Sequence, residues 1–308
     1  LRKKLVVGTR GSRLARVQTG TVVAELNRLY PQMEIETRLI STSGDKDRQT
    51  QLEDMGTNIF VKELEEALLD GRIDLAVHSL KDVPTELPGG LGIVAVPQRE
   101  DPRDVLVSRR RLEEMPPGAK IGTGSLRRSI QLAKLRPDLR AVGIRGNVDT
   151  RVKKSSSGEL DGVILAAAGL NRLGLADGIA QFLSLDDFLP AAGQGALALE
   201  ARLAERDVLD IVEPLNNAAV GAAVSAERAF LRELGGGCRA PIAALAAVRG
   251  NLLELSGLAA SPDGQAVIKD RESGSANEAE ETGRRLARKL LKMGADKFVD
   301  EARRLERR

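Results

Sequence analysis

A chain of 308 residues, 42% apolar and 30% charged, has room for two or three domains and a sizeable core. Its 47 basic and 44 acidic side chains nearly cancel, to a formal net charge of +3, and only 2% of residues are aromatic. That balance argues against tracking a phosphate backbone or stacking bases, one cysteine excludes an internal disulfide framework, and one histidine excludes a His-rich or Cys/His zinc site.

No apolar run approaches the roughly 18 residues of a membrane span. The opening "LRKKLVVGTRGS" has an apolar run too short for a secretory signal, which needs about 7–15 residues. A cytoplasmic protein with no membrane and no nucleic-acid partner is expected.

The first half alternates short β-branched runs with helical periods. "KLVVGT" reads as a strand, and "SRLARVQTGTVVAELNRLY" as a helix capped by Ser12. "MEIETRLIST" is a second strand. "FVKELEEALLDG" is a helix with Phe60, Leu64, Ala67 and Leu68 on one face, stopped by Gly71. "DLAVHSL" and "LGIVAVP" are further strands, so this part is α/β with a largely parallel sheet. "PQREDPRDVLVSRR" marks a crossing into a second α/β unit. There "AKIGTGS" is a strand and turn, "LRRSIQLAKL" a helix, "LRAVGI" a strand, and "DGVILAAAGLNRLG" a strand running into a helix. "KKSSSGE" reads as a polar loop. "FLPAAGQGALALEAR", from Phe188, reads as a strand returning to the first domain, and "AAVGAAVSAERAFLREL" as a helix leading to Gly235. The last part reads as three antiparallel strands, turning at Gly250–Asn251 and Pro262–Asp263–Gly264, and then two helices.

Six arginines follow the carboxyl ends of predicted strands, directly or within a turn: Arg10, Arg127, Arg128, Arg145, Arg151 and Arg172. Open α/β sheets bind ligands at that edge, and the guanidinium fork suits carboxylates and phosphates. Any one of them is equally well read as a solvated surface charge; six at equivalent places favour a ligand with many carboxylates. The turn "IGTGSLRR" offers Thr123, Ser125 and a helix N-terminus, which suits an anion as well as a plain cap by Ser125. Lys81 and Asp82 stand side by side after a strand. A carboxylate there gives a proton to a leaving amine or steadies a cation, although charge at a strand end is also ordinary. His78, inside that strand, is expected to be a satisfied, partly buried histidine. Gln194 sits in "AAGQGAL", where glycines permit a close backbone approach or a hinge. Cys238 follows three glycines and precedes Arg239, so access and a neighbouring cation favour a reactive thiol or an attachment point.

Taken together, "GTRGSRLA", "FVKELEEALLDGRIDLAVHSLKDVP", "REDPRDVLVSR", "IGTGSLRRSIQLAKLRPDL", "IRGNVDTR", "DGVILAAAGLNRLGL", "LPAAGQGALALE" and "AERAFLRELGGGCRAPI" resemble the porphobilinogen deaminase family over nearly the whole chain. The resemblance implies two α/β domains like the lobes of a type II periplasmic binding protein plus a small C-terminal α+β domain. The divisions it suggests are 1–98 with 197–215, 99–196, and 216–308. It implies a monomeric cytoplasmic transferase that joins four porphobilinogen molecules head to tail into hydroxymethylbilane, releasing ammonia, on a dipyrromethane cofactor held by a thioether to Cys238. It further implies that Asp82 is the catalytic carboxylate. Lys81, Asp82, Thr123, Ser125, Arg127, Arg128, Arg145, Gly146 and Gln194 fall to the cofactor. Arg10, Ser12, Arg151, Arg172 and Phe60 fall to the substrate. Two departures stand out. The segment "SGDKDRQTQLEDMGTNIF" has Asp54, Thr57 and Asn58 where the family usually has glycines and lysines, and Gly124 stands where a serine is common. A two-lobed anion-binding module without catalysis is the alternative. It leaves Cys238 and the third domain unexplained.

Overall fold

The computed structural model describes residues 2–41, 61–235 and 241–306. The chain divides into two units, residues 1–99 with 196–221 and residues 100–195 with 222–308. In chain order the strands and helices of the first half are β1 (Lys4–Thr9), α1 (Arg13–Leu29), β2 (Glu34–Leu39), α2 (Lys62–Leu69), β3 (Leu75–Ser79), β4 (Leu91–Ala95), β5 (Asp104–Ser108), β6 (Lys120–Gly122), α3 (Leu126–Leu135), β7 (Arg140–Val142) and α4 (Val148–Ser156). The second half holds β8 (Gly162–Ala166), α5 (Ala167–Leu173), β9 (Ile179–Phe182), β10 (Leu197–Arg202), α6 (Arg206–Val212), α7 (Ala218–Leu234), β11 (Ile242–Arg249), β12 (Leu252–Ala260), β13 (Val267–Ser275), α8 (Ala279–Leu290) and α9 (Asp296–Glu306).

The sheet of unit 1 has the order β2-β1-β3-β10-β4. β1, β2 and β3 run parallel, and β10 is antiparallel to both of its neighbours. Leu5, Val7, Leu75, Val77 and Leu199 present one apolar face to Val22 and Leu26 of α1 and to Val208 and Ile211 of α6. On the other face Leu64, Ala67 and Leu68 of α2 cover Ile73, Ala76 and Leu91. Burying each of these larger side chains stabilises the fold by about 1.5–3 kcal/mol, so the sheet is held from both sides.

Unit 2 repeats the arrangement. Its first sheet has the order β7-β6-β8-β5-β9, with β6, β7 and β8 parallel and β5 reversed between β8 and β9. Each five-stranded sheet thus carries a single reversed strand at the same place, next to its last strand. A three-stranded antiparallel sheet, β11-β12-β13, completes unit 2. It packs on α7 and α8 through Phe230, Leu253, Leu255, Leu286 and Leu290. Ile130 of α3 and Leu189 of the segment before β10 meet Ala243, Leu258 and Ala260 in a further core, so α3 packs on the three-stranded sheet. These are the α/β sheets and the small α+β part that the sequence leads one to expect.

Several local expectations are corrected. The strand read from Phe188 begins only at Leu197; residues 188–196 form turns around Gly193 and Gly195, both with positive φ. β5, β9 and α4 are additional to the sequence reading, and "KKSS" is the last turn of α4 rather than a loop. His78 is fully buried, with Nε2 2.9 Å from Glu200 Oε2.

Candidate active site

In unit 1 the parallel strands bring the ends of β1 and β3 to one edge. Arg10 follows β1, and Ser12 caps α1, its hydroxyl accepting from the Ala15 N–H at 3.3 Å. Thr19 Oγ1 donates to Thr9 Oγ1 at 2.8 Å, and Gln18 Nε2 donates to Ser79 Oγ at 2.8 Å, which fastens α1 to the ends of both strands. Beyond Ser79 the chain makes one 3₁₀ turn, Leu80–Asp82, anchored by the Leu80 N–H donating to the Ala196 carbonyl at 3.0 Å. Lys81 and Asp82 therefore sit just after the strand, on a tight turn. Lys81 is half-buried and Asp82 is exposed.

In unit 2, β6, β7 and β8 end at a common edge, followed respectively by the Thr123–Ser125 turn, by Arg145 and Gly146, and by α5, which carries Arg172. Ser125 occupies the N-cap of α3 without a side-chain capping bond. Thr123 supplies the local bond instead: its buried Oγ1 accepts from the Ser125 N–H at 3.2 Å. Arg151 Nε donates to the Gly146 carbonyl at 2.7 Å. A Cβ at Gly124 would lie 2.7 Å from the Ile144 carbonyl oxygen and 4.0 Å from Arg151 Nη1. The bare glycine thus lets the turns after β6 and β7 close on each other.

Arg127 and Arg128 are both buried, each 6% exposed, and converge on the fully buried Asp104. Asp104 Oδ2 accepts from Arg127 Nη1 at 2.7 Å, while Oδ1 accepts from Arg128 Nε at 2.9 Å and from Gln194 Nε2 at 2.9 Å. Arg127 Nη1 also donates to the Leu189 carbonyl at 2.6 Å, and Arg128 Nη1 to the Ile164 carbonyl at 3.1 Å. Burial alone would push the Asp104 carboxyl up, but the two guanidinium groups outweigh it and hold it at about 2. Burial pushes the Arg127 guanidinium below its ordinary range, opposed by Asp104 and reinforced by Arg128. Two buried cations share one carboxylate, so the cluster retains one positive charge. Burying a charge without a counter-charge is costly, and a second carboxylate from a ligand would relieve it.

Arg172 Nη2 donates to the Gly195 carbonyl at 2.8 Å, and its neighbour Asn171 donates to Glu100 Oε1 at 3.0 Å. Burial lowers the Arg172 guanidinium, against the pull of Glu100. Glu227, fully buried on α7, accepts from the Gly193 N–H at 2.6 Å and from the Ala246 N–H at 2.8 Å. The turn bearing Gln194 is thereby tied to β11. Of the residues expected at the site, the structure gathers Arg127, Arg128 and Gln194 around Asp104, Arg151 beside Gly146, and Arg172 beside Gly195. Arg10, Ser12, Lys81 and Asp82 share the edge of unit 1. Phe60, Cys238 and the segment holding Asp54, Thr57 and Asn58 lie outside the described residues.

Asp104 and Glu227 are additional to the sequence reading. A carboxylate heading the apolar run "DVLV" was the available signal for Asp104. Its place becomes evident from the reversed direction of β5: Asp104 pairs with Ala166 at the end of β8, which brings the first residue of β5 to the arginine edge. A buried cluster of Glu65, His78 and Glu200 also lies in unit 1. Among the described residues no group of three or more His, Cys, Asp or Glu could hold a metal ion.

Residues 5–210 match the family described as porphobilinogen deaminase, dipyromethane cofactor binding domain, and residues 222–292 match the porphobilinogen deaminase C-terminal domain. The porphobilinogen deaminase of Geobacter metallireducens is 49% identical over 301 residues, covering 97% of this chain and 95% of that protein. That of Syntrophus aciditrophicus is 49% identical over 291 residues, covering 94% and 95%. Among solved structures, the methionine binding protein MetQ aligns with a TM-score of 0.45 and 12% identity, over 68% of this chain and 89% of that one. The fold class rests on the strand orders described above.

Proposed function

The chain belongs to the porphobilinogen deaminase family, and we propose that it joins four porphobilinogen molecules head to tail, releasing one ammonia per unit, and that one water frees the product as hydroxymethylbilane. The observation that carries this reading is the pair of buried guanidiniums on a single carboxylate, at a sheet edge that also bears Arg145, Arg151 and Arg172. A growing chain of pyrroles bearing acetate and propionate is a ligand of many carboxylates, and a site with surplus buried positive charge fits it.

Cys238 would hold the dipyrromethane cofactor through a thioether, and the group would supply the pyrrole end to which the first unit is joined. Arg127 and Arg145, with Lys81, Thr123, Ser125, Gln194 and the Gly146 backbone, would hold its carboxylates, and Arg128 would serve the same site from behind, through its bonds to Asp104. Arg10, Ser12, Arg151 and Arg172, with Phe60, orient porphobilinogen. Asp82 holds a proton for the departing amine, then faces the positive charge left on the substrate carbon as a carboxylate. Its exposed place on the turn after β3 supports that role, because the group is open to an incoming molecule. The division of labour we propose is 1–98 with 197–215 for Asp82, 99–196 for the arginines, and 216–308 for the cysteine. The protein works as a cytoplasmic monomer, without membrane or nucleic acid. Among the described residues no helix is long and apolar enough to cross a membrane.

The test is consumption of porphobilinogen by the cofactor-loaded protein and by Asp82→Asn. The native protein turns substrate over. The variant melts at the same temperature but loses roughly 10²–10⁴-fold in rate, the range for a general acid–base group. A folded, loaded native protein that leaves porphobilinogen untouched would refute the proposal, and an Asp82→Asn protein of unchanged rate would remove Asp82 from it.

A further inference from the structure

We infer that Asp104 is a positioning residue for cofactor capture: its buried carboxylate aims the Arg127 guanidinium at a ligand carboxylate. This rests on the function proposed above. All the side-chain hydrogen bonds of Arg127 among the described residues run through one nitrogen, Nη1, which is held by Asp104 Oδ2 and by the Leu189 carbonyl. Pinning that corner fixes the plane of the guanidinium and leaves its Nε and Nη2 edge as a fork for a carboxylate. Arg128 is used differently. Its Nε and Nη2 both reach Asp104 Oδ1, and Nη1 goes to the Ile164 carbonyl. Arg128 braces the carboxylate, and the carboxylate aims Arg127. Gln194 adds the third support, its Nε2 bridging Asp104 Oδ1 and the Pro102 carbonyl at 2.9 and 2.8 Å.

Asp104 is itself an anion beside a site for anions. Coulomb attraction alone says that neutralising it should tighten the grip on a polycarboxylate, because the cluster would go from one surplus positive charge to two. Positioning says the reverse: an Asn in its place loses one charge-assisted bond, sets an amide N–H against a guanidinium, and lets the Arg127 fork swing. The two accounts predict effects of opposite sign.

The experiment compares the native protein, Asp104→Asn and Asp104→Glu, each prepared without cofactor and incubated with porphobilinogen. Intact mass against time reads the gain of two linked pyrrole units, and thermal melting reads the fold. We expect Asp104→Asn to load at least tenfold more slowly than the native protein while still melting cooperatively. Asp104→Glu, which restores a carboxylate one methylene further out, should recover part of that rate. Loading of Asp104→Asn at the native rate or faster would overturn the inference in favour of simple charge. Failure of both variants to fold would make Asp104 a fold determinant and also overturn it. A native protein that gains no mass would overturn the proposed function and this inference with it. Native loading together with unslowed variants would overturn this inference alone.

Discussion

Replacing Gly195 by alanine probes the turn that carries Arg172's acceptor. Gly195 has φ +89°, and a Cβ there would lie 2.4 Å from the Glu100 carbonyl oxygen and 3.3 Å from that of Asp101. The obstacle is backbone, not a flexible side-chain end. The same glycine's carbonyl accepts from Arg172 Nη2 at 2.8 Å and from the Glu100 N–H at 3.2 Å. A left-handed backbone costs an L-residue roughly 1–2 kcal/mol. Forcing a carbon into a packed backbone costs about 1–3 kcal/mol more. The stiffer unfolded chain offsets about 0.4–1 kcal/mol of that. The net loss expected for Gly195→Ala is about 1–5 kcal/mol. Gly118 is the matched control, in the same unit, with φ +80° and nothing within 4 Å of its Cβ position. Gly118→Ala should cost only the strain less the chain gain, at most about 1.6 kcal/mol. Equilibrium urea unfolding at a common slope measures both. The difference isolates the clash with Glu100. Two variants of equal stability, within about 0.5 kcal/mol, would refute the close approach of the Gly195 turn to Glu100.

Two further predictions concern pH. Burial, with Glu200 nearby, pushes the Glu65 carboxyl above its ordinary range, so the folded state holds that proton more tightly than the unfolded chain. Its contribution is full below the ordinary carboxylate value of about 4.3 and is lost as pH rises through the folded value. Glu65→Gln should flatten the stability–pH curve above that point, as read by melting temperature from pH 4 to 8, and an unchanged slope would contradict the assignment. Asp104 has the opposite sign: held at about 2 in the folded state, it stabilises above its unfolded value and that contribution fades as pH falls toward 2. That contribution is worth roughly 2–3 kcal/mol. Asp104→Asn should lose this part of the acid-unfolding slope; a native-like acid limb in the variant would contradict it.

The elements with a buried face and a clear period were legible in the sequence. "KLVVGT", "DLAVHSL" and "GVILA" became β1, β3 and β8, and the arginine positions fell at strand ends because β6, β7 and β8 run parallel. The reversed strand β5 was hidden by its setting: its apolar run is only "VLV", between charges. α4 shows no buried residue, so its polar sequence carried no helical stripe to read. Ser125 looked like a cap, but Thr123 makes the bond, a choice set by the conformation of the turn. The exposed-looking pair Arg127–Arg128 proved buried because its counter-charge, Asp104, arrives from 23 and 24 residues earlier in the chain. Such a partner shows itself only when strand direction is known.

We propose that this chain builds hydroxymethylbilane on a cofactor carried by its single cysteine, Cys238. The most direct measurement is the intact mass of the purified native protein and of Cys238→Ser, each before and after incubation with porphobilinogen. The native protein should carry or acquire the mass of two linked pyrrole units, and Cys238→Ser should neither carry nor acquire it. A native protein that stays at its bare polypeptide mass in porphobilinogen, or a Cys238→Ser protein that gains the same covalent mass, would contradict it.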